Sequence, residues 1–214
     1  MRIRHVDCIS APELVTRIRQ TRLRGHGQPL VYEHARLELK SMSTDDLWPA
    51  QRYLLTQNVE RIHDLRAALL ERGIDIFALD GACLVQADGL TDDGRPMPVL
   101  PPIIEESVEP DGRTVLLIND GMHRVWAARQ RNLPITVVLV RDVPRQWPYY
   151  AFPLENGWAD VREMTTAPPT HEKKNHRDPG NHKALFRDFN AVFPGVQETR
   201  NAAAPPPQKK AANG

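Results

Sequence analysis

The chain has 214 residues, 28 Lys and Arg against 27 Asp and Glu, a formal net charge of +1 and 41% hydrophobic residues. That length holds one ordinary domain with extensions. The even charge disfavours a protein that coats DNA and leaves room only for a local basic patch. Cys8 and Cys83 are the two cysteines, and neither sits in a Cys-x-x-Cys pair. This argues against a zinc ribbon or dithiol centre and suits a reducing compartment. The start of the chain lacks an apolar signal region, and no apolar run approaches the ~20 residues that span a bilayer. A cytoplasmic chain without a membrane partner is the expectation.

In chain order, residues 11–24 read as a basic amphipathic helix. Ser10 is placed to cap it, Pro12 suits its first turn, and Leu14, Val15, Ile18 and Leu23 form its stripe. Arg17, Arg19, Arg22 and Arg24 then lie on a solvated face. Alternation at Val31, Glu33, Ala35, Leu37 and Leu39 predicts a half-buried strand over 30–39. Residues 58–72 form a helix with Val59, Ile62, Leu65, Ala68 and Leu69 inward and Gly73 as its stop. Two short strands, 74–79 and 82–86, are expected around a tight turn at Asp80-Gly81. Asp92-Asp93-Gly94-Arg95-Pro96 reads as a loop.

A strand over 99–108 is entered through Pro101-Pro102. A turn at Pro110-Asp111-Gly112 leads to a β-branched strand over 113–118, read as central. A helix over 122–130 and a strand over 135–140 follow. Beyond Val143 come the aromatic residues Trp147, Tyr149, Tyr150, Phe152 and Trp158. A segment rich in Lys, Arg and His spans 171–183, and a short helix spans 184–193 with Leu185, Phe186, Phe189 and Phe193 inward. From Asn201 the composition is that of a disordered tail. The expected organisation is an N-terminal helix and linker (1–29), an α+β core (30–143), an aromatic and basic extension (144–200) and a tail (201–214).

The stretch richest in chemistry is Asp120-Gly121-Met122-His123-Arg124, where a buried strand turns into a helix. Glycine permits the sharp turn and lets a ligand approach the backbone. The first helical turn aims N–H groups and the positive end of its dipole at one spot. His123 and Arg124 sit in that first turn, where each misplaced cation costs about 0.3–1 kcal/mol. A bound anion reverses the sign, and a guanidinium is suited to grip phosphate. A plainer reading has Asp120 as an N-cap, Gly121 as a turn residue and the two basic side chains as exposed decoration.

The pentapeptide, with Ala127-Ala128 behind it, resembles the ParB/sulfiredoxin-like superfamily, in which a strand ends in Asp-Gly-x-His-Arg or a close relative. Leu47-Trp48-Pro49-Ala50-Gln51 resembles the Pro-x-Gln segment that opens many such domains. The helix at 58–72 and Leu100-Pro101-Pro102-Ile103 stand in the same order. The resemblance spans about residues 40–143. It implies a small mixed sheet with flanking helices, with phosphates held by Gly121, Met122, His123 and Arg124. Asp120 falls at the acidic position, near metal and phosphates or holding the loop. The implied ligand is ATP, ADP or CTP with Mg²⁺.

Sulfiredoxins carry a reactive cysteine where this chain has Met122, and a thioether forms no thiolate, so that activity is not expected. ParB partition proteins add a helix-turn-helix domain that has no counterpart here, so sequence-specific DNA binding is not expected either. The nearest motif is that of the free serine kinases. Their resemblance implies a small nucleotide-dependent phosphotransferase acting on a hydroxyl-bearing acceptor. Asp120, Glu105 and Glu106 are then the candidate catalytic carboxylates, with Glu33 an equal candidate. A noncatalytic nucleotide-sensing or partner-binding module is the alternative, and a nuclease a more remote one. Lys173, Lys174, His176, Arg177, His182 and Lys183 either close over the phosphates or form a solvated linker. The aromatic residues line a pocket or pack the extension down. His171, His176 and His182 lack single-face metal spacing. Oligomeric state is not legible.

Overall fold

The computed structural model describes residues 1–90, 95–168 and 173–194. The loop read at Asp92-Asp93-Gly94, His171 and the tail from Asn201 lie outside the described residues.

The first element is a strand, β1 (Ile3–Ser10), absent from the sequence reading. It pairs antiparallel with β5 (Gly81–Ala87), and β6 (Met97–Val99) completes a three-stranded sheet. Between these come helix α1 (Ala11–Arg19), β2 (Arg36–Met42), the short β3 (Leu47–Trp48) and β4 (Tyr53–Leu55), and helix α2 (Thr56–Leu70). Then follow β7 (Ile103–Val108), β8 (Thr114–Asp120), helix α3 (Met122–Gln130) and β9 (Ile135–Arg141). The main sheet runs β2-β9-β7-β8-β3. Its β2–β9 and β7–β8 pairs are antiparallel, and its β9–β7 and β8–β3 pairs are parallel. A final strand, β10 (Arg162–Met164), pairs parallel with β4, and a one-turn helix, α4 (Phe189–Val192), ends the described chain. This is the α+β architecture expected, with a mixed sheet and flanking helices.

Both faces of the main sheet are covered, because the pleat alternates the apolar residues of β9 between two clusters. Ile135, Val137 and Leu139 join Leu65 and Leu69 of α2 and Val125 and Ala128 of α3. Val138 and Val140 join Leu14 and Ile18 of α1 together with Tyr149, Phe189 and Phe193. The aromatic extension is therefore a layer of the fold, and the expected boundaries at 29/30 and 143/144 cut through packed structure. The basic segment is likewise not a solvated linker. Arg177 Nη2 donates to both carboxylate oxygens of Glu109 at 2.7 and 2.8 Å, and the Lys174 ammonium donates to the hydroxyls of Tyr149 and Tyr150.

Other departures have local causes. Helix α1 is capped at Ser10 as expected but stops at Arg19. Arg19 donates to the carbonyls of Glu33 and Ala35, tying down a turn where a strand was expected. Val31 and Tyr32 are buried side by side, which period-2 alternation forbids. Residues 74–79 are not a strand. Asp75 accepts from the Phe77 amide and pairs with Arg66, which holds a turn instead. Gly81 opens β5 rather than closing a hairpin, and a Cβ there would lie 2.0 Å from the Ile9 carbonyl oxygen. Pro101-Pro102 splits the single strand expected over 99–108 into β6 and β7, which belong to different sheets. The central strand is β7, and β8 lies one place from the edge. The helix expected over 184–193 breaks into a 3₁₀ turn (His182–Leu185) and α4, with Arg187 buried between them.

Cys8 and Cys83 face each other across the β1–β5 pair, the first exposed and the second buried. Burial pushes the Cys83 thiol up to about 12, with the neighbouring Cys8 adding to it. At pH 8 the native protein should therefore yield one thiol to a disulfide reagent, and two after denaturation. Because the folded value lies above the unfolded one, Cys83's contribution to stability is complete below pH 9 and is lost as pH rises toward 12. Two thiols reacting rapidly in the native state would contradict the burial.

Candidate functional site

Strand β8 ends in Asn119-Asp120, and Gly121 turns the chain into α3 with φ +86°. Gly121 itself is the N-cap, and no side chain caps the helix, so Asp120 is not the N-cap that the plainer reading supposed. A Cβ at Gly121 would meet Pro102 Cα at 2.9 Å and Arg124 Nη2 at 2.8 Å. Only glycine allows both this backbone and this close approach.

Asp120 and Arg124 are one helical turn apart and form an ion pair at 2.9 Å, with side chains 10% and 13% exposed. The plainer reading had Arg124 exposed. Here it is folded back onto Asp120, because a guanidinium left unpaired beside the positive end of a helix would be costly. Burial pulls the Arg124 pKa down, and Asp120 opposes that pull.

Gly121, Met122, His123 and Arg124 line a cleft of about 360 Å³, together with Asp120. Its other walls come from Gln51 and Asn58, the apolar residues Ile62, Leu65, Met97, Pro98 and Val99, and Lys173. Gln51 is positioned by donating to the Tyr53 carbonyl at 2.7 Å. The five motif residues are thus brought together, and the Pro-x-Gln segment meets them. Asn58 and Lys173 carried no signal, because nothing in their local sequence points to residue 121.

Glu105 and Glu106 do not line this cleft. Glu105 is buried and accepts from Tyr32, Asn119 and Arg187. Arg187 reaches it with Nε and Nη2, each at 2.8 Å, and also donates to the carbonyls of Trp147, Pro148 and Leu185. All five guanidinium N–H groups are thereby used. Burial and the Glu105 carboxylate raise the Tyr32 pKa well above the usual phenol value, so Tyr32 remains a donor. Glu106 pairs with Arg141 at 3.2 Å, and Glu33 is exposed on the turn after α1. Asn119 bridges the two regions, since it adjoins Asp120 and donates to Tyr32 at 2.8 Å.

A family model of the ParB CE domain matches residues 13–162. The chain belongs to the ParB CE domain family. The match extends the resemblance seen at 40–143 in both directions, taking in most of α1 and ending in β10. Comparison with solved structures gives protein Atu1540 from Agrobacterium tumefaciens, 17% identical, with a TM-score of 0.27. That alignment covers 50% of this chain and spans 39% of the length of Atu1540. No curated protein is matched. Among the described residues, no helix of this ParB CE protein is long and apolar enough to cross a membrane.

Proposed function

We propose that this ParB CE protein binds a nucleotide, with the phosphates at Gly121, His123 and Arg124 and the remainder along Ile62, Leu65, Met97 and Val99. The observation that carries this reading is one cleft with two kinds of lining. A helix N-terminus with a glycine approach and a guanidinium shares it with the apolar residues Ile62, Leu65, Met97, Pro98 and Val99 and the amides of Gln51 and Asn58. Its volume lies in the range of small-molecule sites, about 300–1,000 Å³.

Asp120 gives the site a particular chemistry, being the one carboxylate among its described lining residues. It repels a bare phosphate and competes for Arg124. Mg²⁺ suits this donor set, with Asp120 as the protein ligand and the other positions left to phosphate oxygens and water. Among the described residues no cluster of three or more His, Cys, Asp or Glu side chains could hold a metal unaided. The cation would then enter with the nucleotide. Binding of ATP is therefore expected to weaken when EDTA removes Mg²⁺, and Asp120→Asn is expected to bind Mg²⁺-free ATP more tightly than wild type does. Titration calorimetry reads both, and tighter binding by wild type in EDTA would sink this account of Asp120.

Between the finer readings, the geometry favours a nucleotide-sensing module. Phosphoryl transfer asks for a group that orients the acceptor hydroxyl. Glu105 is committed to Arg187 and Glu106 to Arg141, and among the described lining residues Asp120 is the one carboxylate left for that task. The deciding experiment is titration of wild type and Arg124→Ala with Mg²⁺ complexes of ATP, ADP and CTP, followed by a turnover assay with serine as acceptor. A charge-assisted contact of about 1.5–3 kcal/mol predicts a loss of roughly ten- to hundredfold in the variant. Wild type that binds none of the three would overturn the nucleotide reading. Transfer of phosphate to serine would restore the phosphotransferase.

A further inference from the structure

We propose that Lys173, supplied by the C-terminal extension, is a third phosphate ligand of this cleft, so that the anion site is a composite of the family domain and the segment beyond it. The proposal rests on the phosphate reading of the motif. Lys173 lies past residue 162, where the family match ends, yet it lines the same cleft as Gly121, His123 and Arg124.

The backbone that presents it is held by hydrogen bonds at Lys173 and at the residues after it. Its carbonyl accepts from the Arg52 amide at 2.9 Å, directly after Gln51 of the cleft wall. Two residues on, the Asn175 carbonyl accepts from Phe152 at 2.8 Å, and the Arg177 amide donates to Tyr150 at 3.0 Å. The next side chain, Lys174, points inward, and its ammonium lies 4.6 and 5.1 Å from the ring centroids of Tyr150 and Tyr149. Lys174 is buried whereas Lys173 is exposed, and the Lys173 ammonium sits 5.7 Å from the Tyr53 ring centroid.

Charge gives this position its consequence. Among the described lining residues Arg124 is paired with Asp120, and Lys173 brings a second cation to the same cleft. Its side chain is exposed, so truncation leaves the fold unchanged.

The test titrates full-length wild type, Lys173→Gln, Lys173→Arg and Arg124→Ala with Mg·ATP, Mg·CTP and inorganic tripolyphosphate at several salt concentrations. Lys173→Gln should weaken binding about tenfold and flatten the salt dependence, as expected on losing one charge–phosphate contact. Lys173→Arg should stay close to wild type. If Arg124→Ala abolishes binding while Lys173→Gln binds as wild type does, the composite site is overturned and the motif reading stands. An Arg variant as weak as the Gln variant would also overturn it, because charge would not be the cause. Wild type that binds none of the three probes would overturn both readings.

Discussion

Replacing Arg187 by Met should lower the unfolding free energy by about 4 kcal/mol, within the ~3–5 kcal/mol range for removing one member of a buried ion pair. The guanidinium is buried and donates to Glu105 and to three carbonyls from two stretches of the extension. Its loss strands a carboxylate and leaves three carbonyl oxygens short of a donor. Glu105→Gln should cost less. It keeps the shape of the acceptor and leaves the contacts to the Trp147, Pro148 and Leu185 carbonyls intact. A replacement of both residues by apolar side chains would still leave those carbonyls short of donors, so it should not recover wild-type stability. Typical domains have about 5–15 kcal/mol in hand, so the Arg187 variant should unfold at markedly lower urea. A loss below about 1 kcal/mol would show that the pair does not hold the extension to the sheet.

The second large effect is expected at the turn. Gly121→Ala imposes a side chain on φ +86° at a cost of about 1–2 kcal/mol. The added Cβ also meets Pro102 Cα at 2.9 Å, a backbone atom that cannot swing aside. Overpacking adds about 1–3 kcal/mol, which makes the total roughly 2–5 kcal/mol. Because Arg124 Nη2 lies 2.8 Å from the same point, the guanidinium must leave its place against Asp120. Gly121→Ala should therefore lose both stability and the binding proposed for Mg·ATP. Urea melts and calorimetry on the same sample separate the two. A variant of wild-type stability that still binds would contradict the close approach described here.

These two residues mark what could and could not be read from the chain. Gly121 belongs to a contiguous pattern: a β-branched strand, one glycine, then a helix with cations in its first turn. Such a pattern is local, and local sequence determined helix α3 to the residue, strand β9 to within one residue, and the motif that pointed to the family. The same locality led the reading astray at 30–35, ahead of the strand found at 36–42, and at 74–79. There alternation and a turn signal were outweighed by Arg19 and Arg66, side chains from neighbouring elements that took up the backbone carbonyls and Asp75.

Arg187 is the opposite case. Its carboxylate partner lies 82 positions earlier, and in sequence Glu105 read as a candidate catalytic carboxylate. Only the packed chain shows that the extension covers the second face of the sheet, that Arg124 rests on Asp120, and that Lys173 reaches the cleft. Hydrophobic periodicity says that a face must be buried, but not which distant segment buries it. A charge's partner is likewise set by which segments meet in space. For this protein the sequence by itself determined the strand–turn–helix motif and the class of fold. The tertiary structure alone decided which charges are paired and which residues complete the cleft.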